Sequence, residues 1–459
     1  MKLLNLINKK VHIIGINGIG MSALAVYLKK NKIDVSGSDI ASNSNTKILE
    51  KNGIPVQIGH KPSNVRGKDM IFYSTAIKDN PEIDAAKKSN IPFYNRSKLL
   101  QLICNDKFTI VVTGSHGKTT TTSMLGHLLV CSGLSPTIIT GGIMNNFGQN
   151  IYLTDSNYVV VEADESDGTV FKLNPKILIY LNVDKEHLDY YKSYTKLKAK
   201  IKTYIKKVSM NSLVILYNDD IYLQKLSNLS KNIITYGKSN KSNFYYKINK
   251  LSEKDSNFDF FQQNEKKITK IKSPLLGEHN IQNLCAIMAV IKNLNIQISN
   301  KHVMSFKGIQ RRMNTLGKIK NSILVDDYAH HPTEIQKLVE VCKLYKNKDF
   351  FLIIEPHRFS RLNDLYSDYI KILKNIKNLI ILKTYSAGES FEKNMKDSKN
   401  LVNDLNVLSN NKVSYIDTYD ELFTLLDTLV NAKNSKIIVA AGAGSISAQM
   451  RFFYESRKY

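Results

Sequence analysis

The run Thr113-Gly114-Ser115-His116-Gly117-Lys118-Thr119-Thr120 stands between an apolar stretch, Phe108 to Val112, and a helix-like stretch from Thr119 to Val130. A glycine-bearing turn leading from a strand into a helix gathers backbone N–H groups at the positive end of the helix dipole, which suits a phosphate. Lys118 can reach terminal phosphates, and Thr119 offers a hydroxyl to Mg2+. The full G-x-x-x-x-G-K-[ST] pattern fails, because Val112 occupies the place of its first glycine; a shortened G-x-x-G-K-T loop remains. An ordinary turn can carry the same residues, and the order strand, loop, helix is what favours a phosphate cradle.

Downstream, Tyr158 to Val161 delivers Glu162-Ala163-Asp164-Glu165-Ser166-Asp167, four carboxylates in six residues. Carboxylates so crowded gain by meeting a cation, and Mg2+ takes oxygen ligands while keeping several waters, so one or two would suffice. A solvated acidic turn is the plain alternative, disfavoured for Glu162 by its place after a strand. The next apolar run, Ile177 to Leu181, leads to Asn182-Val183-Asp184-Lys185-Glu186-His187. A lone histidine is usually structural, but at a second strand end His187 is a candidate for a second metal position. His279 and Asn283 fall one turn apart on a predicted helix and can bond a base or ribose edge, with capping by His279-Asn280 as the alternative.

In the last third, Ser322 to Val325 runs into Asp326-Asp327-Tyr328-Ala329-His330-His331-Pro332, and Phe350 to Ile354 runs into Glu355-Pro356-His357-Arg358-Phe359-Ser360-Arg361. Arg311, Arg312, Arg358 and Arg361 offer planar forks for carboxylate or phosphate, and their loop positions give them more weight together than singly. Near the start, Val11 to Gly15 reads as a strand and Gly15-Ile16-Asn17-Gly18-Ile19-Gly20-Met21-Ser22 as a turn into a helix. Ser38 and Asp39 end the next strand, close to the spacing of a ribose-binding acid. Asn17 replaces the glycine that lets backbone approach a pyrophosphate; Asn tolerates left-handed backbone, so both a diphosphate turn and a merely tight turn stay open. Ser74-Thr75 follows Met70 to Tyr73 and either places hydroxyls at a ligand-binding edge or serves structure alone.

These groups need rigid elements to bring them together. Strand-like and helix-like runs alternate along the chain, so the polar clusters fall at the C-terminal ends of predicted strands, where open parallel sheets bind ligands. Length and pattern predict three domains, at residues 1–105, 106–313 and 314–459. Residues 238–272 read as exposed hairpins or an insertion, and Gly141 to Gly148 as a flexible loop.

The formal charge is +25, but the lysines are spread along the whole chain, which favours a solvated surface over a nucleic-acid partner. An anionic substrate would still meet such a field faster. Cys104, Cys131, Cys285 and Cys342 form no C-x-x-C and read as thiols of a reducing compartment. With no signal-peptide pattern and no apolar run of membrane-spanning length, a cytoplasmic protein without membrane insertion is expected.

Taken in order, the stretches 15–22, 114–122, 162–168, 187–191, 277–283, 310–317, 326–334, 356–361 and 442–447 resemble the Mur ligase family over essentially the whole chain. The resemblance implies an α/β fold of three domains: an N-terminal Rossmann-like domain for a UDP-sugar, a central P-loop-type ATPase domain, and a C-terminal Rossmann-like domain completing the ATP and amino-acid site. It implies ligation of L-alanine to the carboxylate of UDP-N-acetylmuramate through an acyl phosphate, with ATP and Mg2+, by a monomer or weak homodimer. By resemblance, Gly114, Ser115, His116, Gly117, Lys118, Thr119 and Thr120 cradle phosphates, Thr119 and Glu162 hold the bridging Mg2+, and His187 serves a second metal. His279 and Asn283 meet the adenine side, Asp326 or its neighbours the ribose, and Arg312 the nucleotide phosphates. Gly15, Asn17, Gly18, Ile19, Gly20, Ser38, Asp39, Ser74 and Thr75 fall to the UDP-sugar. His330, His357, Arg358 and Arg361 face the acyl phosphate and the alanine carboxylate. Catalysis is then positioning and charge neutralisation, with Lys118, Glu162, His187, His330, His357 and Arg361 as the catalytic set.

The chain departs from the family pattern at Asn17, at Lys185 where proline is common, and at Glu355 where Gln is frequent. A ligase that recycles a whole peptide onto the same sugar nucleotide is the near alternative. A nicotinamide-dependent oxidoreductase, against which Asn17 argues, and a nucleic-acid-stimulated ATPase are alternatives of other classes.

Overall fold

The computed structural model describes residues 3–458 apart from Thr75, Ala76, Lys78, Asp167, His187, Lys393 and 409–411, and apart from the side chains of Leu4, Ile19, Ser44, Leu188 and Asp189. Two compact units divide the chain: Met1–Asn249, Asn257–Pro274 and Asn280–Lys307 make one, and Lys250–Ser256, Leu275–His279 and Gly308–Tyr459 the other.

The first unit holds two sheets. In the smaller, five parallel strands lie in the order Val56–Ile58, Asp34–Asp39, Lys10–Ile14, Met70–Tyr73, Phe93–Asn95. The strand order reverses between Lys10–Ile14 and Met70–Tyr73, so the loops after these two strands part and open a crevice at the C-terminal edge. The larger sheet has ten strands, with Phe108–Thr113 between Ile177–Tyr180 and Tyr158–Glu162 and parallel to both. Val111, Val112, Val160 and Leu178 are wholly buried, as strands covered on both faces must be. Because the three strands run the same way, the loops after Thr113, Glu162 and Tyr180 emerge side by side.

One segment differs from expectation, and a second joins the edge of the larger sheet. Gly141 to Met144 continue the strand Thr137–Met144 instead of looping: Thr137 to Ile139 pair with Tyr158–Glu162, and beyond an irregularity Met144 pairs with Gln149. Residues expected as exposed hairpins supply Phe244–Leu251, Ser256–Gln262 and Ile268–Ser273, the outer strands on one side of the sheet, where Tyr245 and Phe261 stack with ring centres 4.7 Å apart. One hydrophobic cluster serves both sheets of the unit, running from Val11, Leu24 and Leu99 to Val111, Val161 and Leu178.

In the second unit six strands lie in the order Asn314–Ile319, Ser322–Asp327, Lys436–Ala441, Asp349–Ile354, Leu379–Leu382, Ser414–Ile416, and only the first pair is antiparallel. Strand alternation splits its core between two faces: Leu352 and Ile354 pack on one, Ile353 on the other.

Candidate active site

Thr113 ends its strand and Lys118 opens the helix Lys118–Cys131, so Gly114 to Gly117 make the turn. Gly114 has φ +128°, and a side chain there would sit 2.9 Å from the backbone nitrogen of Asn182; Gly117 has φ +85°, and a side chain there would sit 2.7 Å from Asn283 Oδ1. The neighbouring strand end holds the turn from outside. Ser115 N donates to Asn182 O at 3.1 Å and His116 N to Asn182 Oδ1 at 2.8 Å, while Asn182 Nδ2 donates back to His116 O at 3.0 Å. Asp184 N donates to Ser115 Oγ at 2.8 Å, and its carboxylate lies 3.0 Å from His116 Nε2. The first N–H groups of a helix have no intrahelical acceptor, so donors of the helix that carries Lys118, Thr119 and Thr120 are directed at this point.

Lys118 Nζ lies 2.6 Å from Gly114 O, 3.0 Å from Ser115 O, 3.1 Å from Asp164 Oδ2 and 3.6 Å from Glu165 Oε2. Burial by itself favours the neutral amine, but the carboxylates of Asp164, Glu165, Glu186 and Glu162 outweigh it and raise the pKa, so the cation is kept. Glu165 is 3 % exposed; burial raises its pKa against the pull of Lys118, and Tyr180 donates to its Oε1 at 3.1 Å. Glu162 accepts Thr119 Oγ1 at 3.0 Å on one oxygen, and Thr140 Oγ1 at 2.9 Å and Gly141 N at 2.6 Å on the other. A carboxylate and a hydroxyl so placed are hard oxygen donors of the kind Mg2+ prefers. Asn283 is buried beside Gly117. His187 lies outside the described residues.

In the smaller sheet of this unit, Gly15 has φ +75°, and a side chain there would lie 3.1 Å from Ser74 Cβ. The second strand fixes the loop that follows: Ser38 O accepts from Gly15 N at 2.9 Å and Ile16 N at 3.1 Å, and Asp39 Oδ2 accepts from Asn17 N at 2.8 Å. Asn17 does not take left-handed backbone. Its Nδ2 donates to Ala41 O at 2.8 Å and its carbonyl accepts from Asn45 Nδ2 at 2.8 Å, so the asparagine tethers the loop to the segment after the second strand. Gly18 caps the helix Ile19–Lys30, and a side chain at Gly20 would stand 2.8 Å from Arg96 Nε. Thr75 lies outside the described residues.

In the second unit, the guanidinium carbons of Arg311 and Arg312 lie 4.6 and 5.1 Å from the centre of the Tyr328 ring. Arg312 Nη1 reaches Glu334 Oε1 at 3.5 Å. Asp326, expected near a ribose, is instead fully buried, with Oδ2 accepting from Ser447 Oγ at 2.6 Å and lying 3.5 Å from Arg451 Nη2. The helix Ile446–Arg457 covers that face of its strand, so the carboxylate is turned into the fold. Burial, with the Lys337 and Arg312 cations, brings the His279 pKa down to about 4.

The rings of His330 and His357 are 5.9 Å apart. His330 Nδ1 donates to Tyr328 O at 2.8 Å, and His357 stacks on Tyr385 while its Nδ1 accepts from Arg361 Nη1 at 3.2 Å. Burial brings the His330 pKa down to about 4, opposed by Glu334 and helped by Arg361; burial and then Arg361 do the same for His357. Arg358 has φ +71° and places Nε 3.4 Å from Glu389 Oε1. A non-glycine residue held in left-handed backbone points to a constraint on where its side chain goes.

Three family models match the chain in order: the Mur ligase family, catalytic domain, at residues 10–108, the Mur ligase middle domain at 112–291, and the Mur ligase, glutamate ligase domain at 311–444. The UDP-N-acetylmuramate--L-alanine ligase of Pelagibacter ubique is 39% identical over 451 residues, covering 96% of this chain and 97% of that protein. The chain belongs to the Mur ligase family. The Aquifex aeolicus protein of the same description is 38% identical over 83% of this chain and 85% of its own length. The crystal structure of the UDP-N-acetylmuramate-alanine ligase of Thermotoga maritima has a TM-score of 0.82 and 28% identity, covering 98% of this chain and 99% of that one. A murein peptide ligase from Psychrobacter arcticus, at TM-score 0.70 and 19% identity, shares the fold. The three sheets are those of this three-domain α/β fold.

Two residues that no motif of this Mur ligase marks touch the expected ones, Thr140 on Glu162 and Arg96 over Gly20, while Asp164 and Glu165, from the 162–168 stretch itself, pair with Lys118. Asn182 and Asp184, which brace the turn, carry a visible signal as the polar end of an apolar strand; Thr140 and Arg96 carry none. Among the described residues no helix of this Mur ligase is long and apolar enough to cross a membrane.

Proposed function

We infer that this Mur ligase joins L-alanine to the carboxylate of UDP-N-acetylmuramate in an ATP-driven reaction, giving UDP-N-acetylmuramoyl-L-alanine, ADP and phosphate for peptidoglycan synthesis. The observation that carries this reading is the 39% identity, over 96% of the chain, to the Pelagibacter ubique ligase of that description. The lysine-bearing phosphate turn supports it.

A carboxylate is a poor electrophile, so ATP first phosphorylates it; the amine of L-alanine then attacks the acyl phosphate, and phosphate leaves. No protein nucleophile is required, and the protein's part is positioning and charge neutralisation. Lys118, kept cationic by the carboxylates around it, meets the transferring phosphoryl group. Thr119 and Glu162 would hold Mg2+, which when bound neutralises phosphate charge. Asn283 and His279 fall to the adenine side and Arg312 to the nucleotide phosphates. Arg358 and Arg361 suit the alanine carboxylate, and neutral His330 or His357 can take the proton that the alanine ammonium must lose. The UDP-sugar falls to the turn Gly15 to Gly20 with Ser38, Asp39 and Ser74. The domain limits 1–105, 106–313 and 314–459, a cytoplasmic location and a monomeric or weakly dimeric state belong to the same proposal.

The test is phosphate release with each amino acid in turn. Release is expected only with UDP-N-acetylmuramate, ATP and L-alanine together. Release that does not depend on both UDP-N-acetylmuramate and L-alanine overturns the reading, and faster turnover with a tripeptide replaces it with peptide recycling.

A further inference from the structure

The larger sheet of the first unit carries a cleft to which the ligation reaction assigns nothing. It lies against the strand Ile233–Gly237, which two strands, Leu213–Tyr217 and Ile177–Tyr180, separate from Phe108–Thr113. At about 4.8 Å per strand, Ile233–Gly237 runs about 14 Å from the strand that ends in the phosphate turn. The cleft encloses about 460 Å3. Ile233 and Thr235 line it from the strand, where alternation puts them on one face. Asn228 and Lys231 line it from the segment before that strand, Lys241 and Asn243 from the segment after it, and Asn218 from the end of the neighbouring strand. Bonds within the fold hold this frame: Ser230 Oγ and Asn232 Nδ2 both donate to Ser209 O, at 3.0 and 2.9 Å, and Asn218 N donates to Tyr236 O at 2.8 Å.

The lining consists largely of unused donors. Asn243 Oδ1 accepts from Thr235 N at 2.8 Å and from Thr235 Oγ1 at 3.1 Å, which leaves its Nδ2 a single long contact, 3.5 Å to Gln263 Oε1. The side chains of Asn218, Asn228, Lys231 and Lys241 have no hydrogen-bond or ion-pair partner among the described residues. No carboxylate lines the cleft among the described residues, and the two nearest in sequence to Asn218 are spent on backbone. Asp219 Oδ2 accepts from Lys238 N at 2.8 Å, and Asp220 accepts from Tyr222 N at 2.8 Å and from Leu223 N and Val183 N at 2.9 Å.

A second source of positive potential stands beside these donors. The helix Tyr194–Val208 ends at Ser209, the residue that accepts from Ser230 and Asn232, and it carries Lys196, Lys198, Lys200, Lys202, Lys206 and Lys207 with no acidic residue. Among the described residues none of the six makes an ion pair. Like charges four apart, as at Lys196 with Lys200 and Lys202 with Lys206, repel one another and are relieved by a nearby anion. A cleft lined by one sign of charge also raises the local concentration of the opposite ion. With Ile233 as its one apolar side chain, the lining does not suit an apolar ligand. Two ammonium groups and three amides suit an oxyanion that carries hydroxyl groups, and the volume is that of a small-molecule site rather than of a bare phosphate.

We propose that this cleft binds a soluble phosphate ester of a small hydroxylated molecule, of the sugar-phosphate class, with Lys231 and Lys241 on the phosphate and the amides of Asn218, Asn228 and Asn243 on phosphate or hydroxyl oxygens. The site is separate from the phosphate turn and stands whether or not the ligation reading does.

The probe is glucose 6-phosphate, titrated by calorimetry into enzyme already saturated with a non-hydrolysable ATP analogue, Mg2+ and UDP-N-acetylmuramate, with glucose as the uncharged control. Methyl spectra of isoleucine-labelled enzyme locate the binding, the Ile233 signal being assigned through Ile233→Val. One equivalent should bind saturably and shift the Ile233 methyl signal, and glucose should do neither. Lys231→Ala with Lys241→Ala should weaken binding at least about tenfold, as for lost hydrogen bonds to a charged group, and arginine at both positions should restore most of it. Lys371→Ala with Lys374→Ala, which takes the same charge from exposed positions of the second unit, should leave binding unchanged. All four lysines are exposed, so the unfolding midpoint should hold in every variant. No saturable binding, saturation without a shift at Ile233, glucose bound as well as its phosphate, or an equal loss in the two double-alanine variants would each overturn the assignment. So would sedimentation with phosphatidylglycerol vesicles in the absence of glucose 6-phosphate binding, which gives the cleft to a lipid headgroup.

Discussion

Replacing Lys118 with alanine separates what that residue does for the reaction from what it does for the fold. Its ammonium stands 3.1 Å from Asp164 Oδ2 and 3.6 Å from Glu165 Oε2. The Asp164 side chain is 34% exposed, so water can replace the lysine there, and that pair is worth only about 0–1 kcal/mol. The Glu165 side chain is 4% exposed, and without Lys118 its charge loses the cation beside it and keeps the Tyr180 hydroxyl. Stranding a buried charge costs roughly 3–5 kcal/mol. Part is recovered by proton uptake, because burial already raises the Glu165 pKa, leaving a net loss of about 2–4 kcal/mol. For a chain of 459 residues that lowers the unfolding midpoint by roughly 2–4 °C. Loss of a cation that meets developing phosphoryl charge should cut kcat by about 10²–10³. The double variant Lys118→Ala, Glu165→Gln should regain most of the midpoint and none of the turnover. Differential scanning calorimetry, phosphate release and UDP-N-acetylmuramate binding follow the three quantities, with the last expected to hold. Near-normal turnover in Lys118→Ala refutes the role of the turn, and a double variant no more stable than the single one refutes the buried-charge account.

Gly117→Ala combines left-handed backbone, costing about 1–2 kcal/mol, with a clash against the Asn283 amide; KM for ATP should rise about tenfold or more while KM for UDP-N-acetylmuramate stays put, as steady-state kinetics will show. Thr140→Val removes a donor to Glu162 and should raise the Mg2+ concentration for half-maximal rate by about tenfold, read from a Mg2+ titration of phosphate release. Acid should loosen the second unit. The pKa values of His330 and His357 fall from 6.5 to about 4 on folding, so the unfolded chain takes up protons first: the stability held by neutral rings is complete above 6.5 and is lost as pH falls toward 4. Asp327, raised by burial from 3.8 to about 6, works against this trend. A midpoint that falls from pH 6.5 downward, and falls less steeply in His330→Asn, is the expected result.

What could be read from the chain itself follows a physical division. The phosphate turn was legible because its function lies in backbone geometry: positive φ at Gly114 and Gly117 demands glycine, and burial on both faces demands the apolar run before it. The burial of Asp326 was not legible, because strand alternation says that it faces away from Val325 but not what covers that face; the covering helix, Ile446–Arg457, comes from the far end of the chain. The three-domain pattern was legible, but not how the sheets share their core. Three sheets follow from the strand pattern, but one hydrophobic cluster joins the first two, and only packing reveals it. Thr140 and Glu82 share a further trait: each is a polar residue whose partner lies on another element, 22 residues away for Thr140 with Glu162 and 44 for Glu82 with Ser38. A motif marks a residue whose neighbours in space are its neighbours in sequence. Residues that hold a ligand-binding group from behind meet it only across a sheet, so in this enzyme they are found by asking what each buried charge is bonded to.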